Sequence, residues 1–287
     1  MRKILSFIFI SFFIITNSFA QSNPNIFTYT VGKCTVYTLS EGQSQGNSSI
    51  LTNATATTIN KTIPDGTFPN ATNSFLIKTA EKSYILVDTG LGKELINNLN
   101  HLGVKPEEIG LVALTHIHGD HVGGLVKDGK AVFPNALIYI SPEEGNFWIK
   151  QKENSLRDEI LKQYLGKIRL LDHNILKDIK FINDFAFRAI AAPGHTPGHT
   201  MFLLESEGER LLIWGDITHA IAVQIPYPEV SVKYDTDPIE AAKTRSQVLA
   251  FAAEHKIPIA GMHIEYPAIG IVTKGEETQY EFSPVAF

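Results

Sequence analysis

Thr115-His116-Ile117-His118-Gly119-Asp120-His121 places three imidazoles and a carboxylate directly after the apolar run Ile109 to Leu114. In an extended segment alternate side chains share a face, so His116 and His118 can reach one metal ion together. Gly119 permits a sharp turn. Asp120 and His121 are then presented by the start of the following helix, toward a second ion. Nitrogen and oxygen donors mixed in this way suit Zn²⁺, with Mn²⁺, Fe²⁺ and Co²⁺ as alternatives. A solvated surface loop is the bland alternative, and four potential ligands at this spacing weigh against it.

Working outward, the rest of a coordination sphere has to come from distant positions. Pro193-Gly194-His195-Thr196-Pro197-Gly198-His199 is a loop shaped by Gly and Pro between two expected strands. The apolar run Leu211-Leu212-Ile213-Trp214 ends in Gly215-Asp216, and Pro258-Ile259-Ala260-Gly261-Met262 ends in His263. A lone strand-end Asp or His is more often structural than functional. Together with residues 116–121, however, these positions supply the seven side chains of a two-metal hydrolytic site.

The remaining patterns read as one α/β domain. Phe27–Val31 and Cys34–Leu39 alternate like a hairpin, and further strands are expected at 74–78, 84–87, 109–114, 136–140, 185–190, 201–204 and 211–213. Helices are expected at 92–102 and from Asp237-Pro238-Ile239-Glu240 to about His255, with Asp237 as cap and Glu240 able to reach back. A terminal hairpin is expected at 269–282. Residues 41–72, rich in Ser, Thr, Asn and Gly, read as a variable loop, either a mobile lid or a disordered insertion. Strand runs interrupted by a few long helices, without an internal repeat, indicate an α/β sandwich.

With H-x-H-x-D-H at 116–121, the G-H-T-P-G-H loop, Gly215-Asp216, His263 and the preceding Val87-Asp88-Thr89-Gly90, the sequence resembles the metallo-β-lactamase-fold hydrolases. The resemblance runs from about residue 73 to 265 and implies an αββα sandwich with its site at one edge. It implies that His116, His118 and His195 hold one divalent ion, that Asp120, His121 and His263 hold the other, and that Asp216 bridges them. It implies Asp88 as a group orienting a ligand histidine, and leaves His199 to pack the loop. Within the superfamily, Gly215–Gln224 and Pro228-Glu229-Val230 are most similar to methyl parathion hydrolase and lactonase-like enzymes, some of which pair as homodimers. His219, three residues past Asp216, is expected close to the site.

The function implied is metal-dependent hydrolysis of a small neutral ester-like substrate, a lactone or a phosphotriester, by a metal-bridging hydroxide. Asp120 or the second metal ion is the candidate for assisting the leaving oxygen. β-Lactam or thioester hydrolysis on the same fold is the alternative, and a non-catalytic metal-binding protein the alternative from another class. His118 stands where redox-active diiron relatives carry a glutamate, which favours hydrolysis over redox chemistry. An apolar-lined pocket is expected, with Phe68, Phe147 and Trp148 as candidates for its wall.

Composition narrows these readings. The chain has 287 residues, 44% of them hydrophobic and 19% charged, which is enough to bury a core. A formal net charge of −5 argues against nucleic-acid partners. Ten histidines stand against one cysteine, so neither an internal disulfide nor a cysteine-cluster zinc site can form. Residues 1–20 read as a signal peptide: basic Arg2-Lys3, an apolar run from Ile4 to Ile15, then the small-x-small Ser18-Phe19-Ala20. The expectation is an exported protein, periplasmic or secreted, without a membrane span after cleavage.

Overall fold

A computed structural model describes residues 23–151, 154–276 and 279–286. The expected signal sequence at 1–20 lies outside them. The strands are β1 (Ile26–Val31), β2 (Cys34–Asn47), β3 (Thr67–Lys78), β4 (Tyr84–Val87), β5 (Ile109–Ala113), β6 (Val126–Lys127), β7 (Lys130–Ala131), β8 (Leu137–Ile140), β9 (Ile168–Leu170), β10 (Ala186–Ala191), β11 (Thr200–Ser206), β12 (Glu209–Ile213), β13 (Ile259–Ala260), β14 (Ile269–Lys274) and β15 (Tyr280–Pro284). The helices are α1 (Ala56–Thr62), α2 (Leu95–His101), α3 (Gly119–Val122), α4 (Pro142–Lys150), α5 (Ser155–Tyr164), α6 (Ile221–Gln224) and α7 (Pro238–His255).

Two large sheets face each other. One has the order β1-β2-β3-β4-β5-β8-β9, the other β10-β11-β12-β13-β14-β15. Strand periodicity explains the layering. Phe75, Ile77, Val87 and Ala113 point into the core shared with the second sheet. Their neighbours Leu76, Leu86 and Val112 point the other way, onto Leu95 and Leu99 of α2, Trp148 of α4 and Ile160 of α5. Helix α7 covers the second sheet and contributes Val248, Leu249 and Ala252 to the first core. The result is a mixed α/β sandwich with helices on the outside. Cys34 is buried, consistent with a small apolar filler. Among the described residues no helix is long and apolar enough to cross a membrane.

Three expectations change. Residues 41–72 are not a loop: β2 and β3 continue as a paired arm to Asn47↔Thr67, with an irregularity between Ser40 and Gln43. The polar composition is compatible with order because the arm's tip is tied down. Thr52 N–H donates to Ser231 O at 2.9 Å and Lys233 N–H to Ile50 O at 2.8 Å. The Asn53 side chain donates to Glu229 O and accepts from Ser231 N–H, mimicking a strand partner. Ile63 and Phe68 pack there against Ala220, Val223 and Val230. Second, Asp237 caps α7 through the N–H groups of Ile239 and Glu240, but Glu240 pairs with Lys243 instead of reaching back. Third, α4 and α5 occupy a stretch where the sequence reading placed no helix.

Candidate metal centre

The site forms where several strands end along one edge of the sandwich. His116 and His118 follow β5, the loop 193–199 joins β10 to β11, Asp216 follows β12 and His263 follows β13. Short α3 then presents Asp120 and His121. The first group gathers His116, His118, His195 and Asp216, and a second gathers Asp120, His121 and His263. Asp216 also groups with His219 and His263, and the ligand atoms in each group lie within 4.8 Å of one another.

The spacing suits an ion. His118 Nδ1 is 3.0 Å from the Nε2 atoms of both His116 and His195. Asp216 Oδ2 is 3.3 Å from His195 Nε2 and 3.7 Å from His116 Nε2. In the second group, His121 Nε2 is 3.3 Å from Asp216 Oδ1 and 3.8 Å from Asp120 Oδ1, while His263 Nε2 is 3.6 Å from Asp120 Oδ2. Donors held about 2.1 Å from a tetrahedral divalent ion lie about 3.4 Å apart, so the separations match. His121 Nε2 and Asp216 Oδ1 are both buried without a hydrogen-bond partner among the described residues. Leaving such groups unpaired is costly, and a cation between them removes the cost.

Hydrogen bonds behind the rings assign their tautomers. His121 Nδ1 donates to Asp88 Oδ2 at 2.7 Å, His195 Nδ1 to Asp235 Oδ1 at 2.9 Å, and His263 Nδ1 to Ala71 O at 3.0 Å. His116 Nδ1 donates to Thr115 Oγ1, which itself donates to Asp88. Four of the five rings therefore aim an Nε2 lone pair inward. Asp88 also accepts from Thr115 N–H at 2.8 Å and sits at φ 56°, a left-handed conformation that aspartate tolerates better than most residues.

Electrostatics divide the histidines. Burial, aided by His121, holds His116 well below the ordinary histidine value, and burial with His195 lowers His118 to about 4. Burial also opposes charge on His121, but Asp216, Asp88 and Asp120 outweigh it and raise that ring well above its ordinary value. Burial likewise opposes ionisation of Asp216, yet His121, His263 and His219 hold its carboxyl well below the usual range. The carboxylates that favour positive charge on His121 would equally favour a cation beside it.

His199 is not among the grouped donors. It accepts from Asp216 N–H at 2.9 Å and donates to Ala192 O, and burial lowers it to about 3, so it packs the loop as a neutral ring. The approach requires glycine before Asp216: Gly215 has φ 61°, and a Cβ there would lie 2.5 Å from His199 Nε2. His219 stacks on His263 and places Nε2 3.1 Å from Asp216 Oδ2.

Two positioning groups escaped the sequence reading. Asp235, on His195, is one of two aspartates in Tyr234-Asp235-Thr236-Asp237, and nothing local separates its role from the helix cap at Asp237. Glu144, in the first turn of α4, is fully buried. Its carboxylate accepts from Ile117 N–H at 3.2 Å and Gly198 N–H at 3.0 Å, joining the two histidine loops.

The open cleft over the ligands measures about 600 Å³. It is lined mainly by polar side chains, which corrects the expected apolar pocket. None of Phe68, Phe147 and Trp148 lines it. Phe68 is buried behind the arm, Phe147 packs in the helical layer, and Trp148 lines a separate apolar cavity of about 230 Å³ under α4 and α5. The expectation put all three in or near loops; their strand and helix settings bury Phe68 and Trp148 and half-bury Phe147 in packing instead.

The sequence profile of the metallo-beta-lactamase superfamily matches residues 67–254. An N-acyl homoserine lactonase from Bacillus cereus is 25% identical over 54% of this chain and 67% of its own length. The chain spans 58–67% of the length of the first curated relatives it matches. A crystal structure of AbOPH, a hydrolase in the beta-lactamase superfamily, is 27% identical and covers 93% of this chain and 99% of its own, with a TM-score of 0.79. AidC, a dizinc quorum-quenching lactonase solved with the product N-hexanoyl-L-homoserine, is 26% identical, covering 92% of this chain and 98% of its own, also with a TM-score of 0.79.

Proposed function

The chain belongs to the metallo-beta-lactamase superfamily, and from that premise we propose that it is an exported, dinuclear metal-dependent hydrolase of a small uncharged ester, a lactone or phosphotriester. The carrying observation is the convergence of His116, His118, His195, Asp120, His121, Asp216 and His263 with four Nδ1–H groups tied outward. A lactonase relative and a dizinc lactonase structure support the reaction class and the assignment of zinc. Bound zinc supplies Lewis acidity and a water whose pKa falls near neutrality.

The chain's residues supply orientation and proton handling. Asp216 touches donors of both groups and is the candidate bridge. Asp88 and Asp235 fix the rings of His121 and His195, so their lone pairs need no reorganisation. His219, lowered to about 4 by burial, stays neutral at pH 7 and donates from Nε2 to Asp216. Asp120, with 33% of its side chain exposed and lining the cleft, is the ligand carboxylate that solvent reaches, and we assign it to take up the proton released by the attacking water and pass it to the leaving oxygen.

The test uses the mature chain, residues 21–287. Bound metal is measured, and lactone, phosphotriester, thioester and β-lactam substrates are assayed side by side. Ester or lactone turnover is expected, with Asp120→Asn and His116→Ala losing turnover together with metal. Full activity in demetallated protein, or a dominant β-lactam rate, would overturn the reading.

A further inference from the structure

Resting on the hydrolase reading above, we infer that the substrate carries hydroxyl or amide groups on its non-reacting part in place of a long alkyl chain. The cleft beside the ligands is lined by the arm, through Ser44, Gln45, Asn47, Asn70 and Thr72, and by Tyr234. Among the described residues, the aliphatic side chains lining the cleft are Ile50 and Ala71, and no Lys or Arg lines it. At Gly46 the paired strands turn to packing: its partner Phe68, together with Ile63, lies against Val223 and Val230, and a Cβ on Gly46 would lie 2.1 Å from the Phe68 ring.

These polar groups have bonding capacity left over. Among the described residues, the side chains of Ser44, Gln45 and Thr72 make no hydrogen bond. Asn47 and Asn70 use Oδ1 for the N–H groups of Ser49 and Ala71, leaving both Nδ2 groups for a ligand. An alkyl chain laid on this wall would strip water from amides and hydroxyls without replacing its bonds, whereas a hydroxyl or amide replaces them. Donors and acceptors on paired strands are held in place beforehand, which turns polarity into selectivity.

The test compares the zinc-loaded mature chain on two γ-lactones, a polyhydroxylated sugar lactone and γ-nonalactone. We expect kcat/KM to favour the polyhydroxylated lactone by about tenfold or more. A Gln45→Leu/Asn47→Leu double variant is expected to cut that ratio to about a third or less with metal content unchanged. A preference for the alkyl lactone, or an unaltered ratio in the variant, overturns the inference while leaving the hydrolase reading intact. If neither lactone is cleaved, the side-by-side substrate assays above decide the hydrolase reading, and calorimetric binding of the two open-chain hydroxy acids decides this inference separately. Tighter binding of the polyhydroxy acid sustains it, and equal or tighter binding of the alkyl acid ends it.

Discussion

Replacing Glu144 by alanine tests whether one buried carboxylate holds the two histidine loops in register. Glu144 receives Ile117 N–H, which sits between His116 and His118, and Gly198 N–H, three residues beyond His195. The loops approach closely there: a Cβ on Gly198 would lie 2.1 Å from Glu144 N, and Ser141 Oγ donates to Gly198 O at 2.7 Å. Glu144→Ala leaves two buried N–H groups unpaired. At about 1–3 kcal/mol each, the metal-free protein should lose about 2–6 kcal/mol of stability. Glu144→Gln keeps one acceptor and turns an NH₂ group toward the other N–H, so about 1.5–3 kcal/mol is expected. The loss should also reach the ligands. Because His118 Nδ1 and His195 Nε2 are held 3.0 Å apart from different loops, loosening the clamp should weaken metal affinity by about 10–100-fold. Urea unfolding of the metal-free forms measures the first effect, and competition with a metallochromic chelator measures the second. Wild-type affinity in Glu144→Ala would refute the positioning role, even with reduced stability. A stability loss below about 1 kcal/mol would refute the energetic argument.

Three further outcomes are expected. Asp235→Asn turns an amide NH₂ toward either His195 Nδ1–H or Val232 N–H, both of which Asp235 now accepts, and should weaken chelator-competed metal affinity about 10–100-fold; unchanged affinity would exclude its orienting role. Gly215→Ala forces an L residue into a left-handed conformation against His199, so urea unfolding should show a loss of at least about 1–2 kcal/mol, and a loss near zero would show that the turn relaxes freely. Stripping divalent ions with a chelator should lower the unfolding midpoint and readdition of Zn²⁺ should restore it, because an ion bound only to the folded state stabilises it by mass action; an unchanged midpoint would mean that the buried His121 Nε2 and Asp216 Oδ1 are satisfied otherwise.

The ligand candidates were legible in the chain because metal chemistry restricts both residue type and spacing. His116, His118, Asp120 and His121 are local neighbours, and Asp216 and His263 each end an apolar strand. The paired strands were legible through their alternation. The helices α4 and α5 were not, since short amphipathic helices with moderate apolar content compete poorly with a loop reading until the sheet beneath them is known.

What the sequence by itself determined was the sandwich class, the longer strands and the seven residues able to hold divalent ions, because those follow from local period and donor chemistry. Only the tertiary structure decided which groups stand behind the ligands and what faces them. Asp235 and Glu144 act across 40 and 54 positions of separation, a coupling that no local pattern encodes. The Ser, Thr and Asn of residues 41–72 have the same composition whether they form a solvated loop or a cleft wall. Packing of Phe68 and Ile63 against Val223 and Val230, with Asn53 tying down the tip, resolves that choice and holds the arm's polar residues along the cleft.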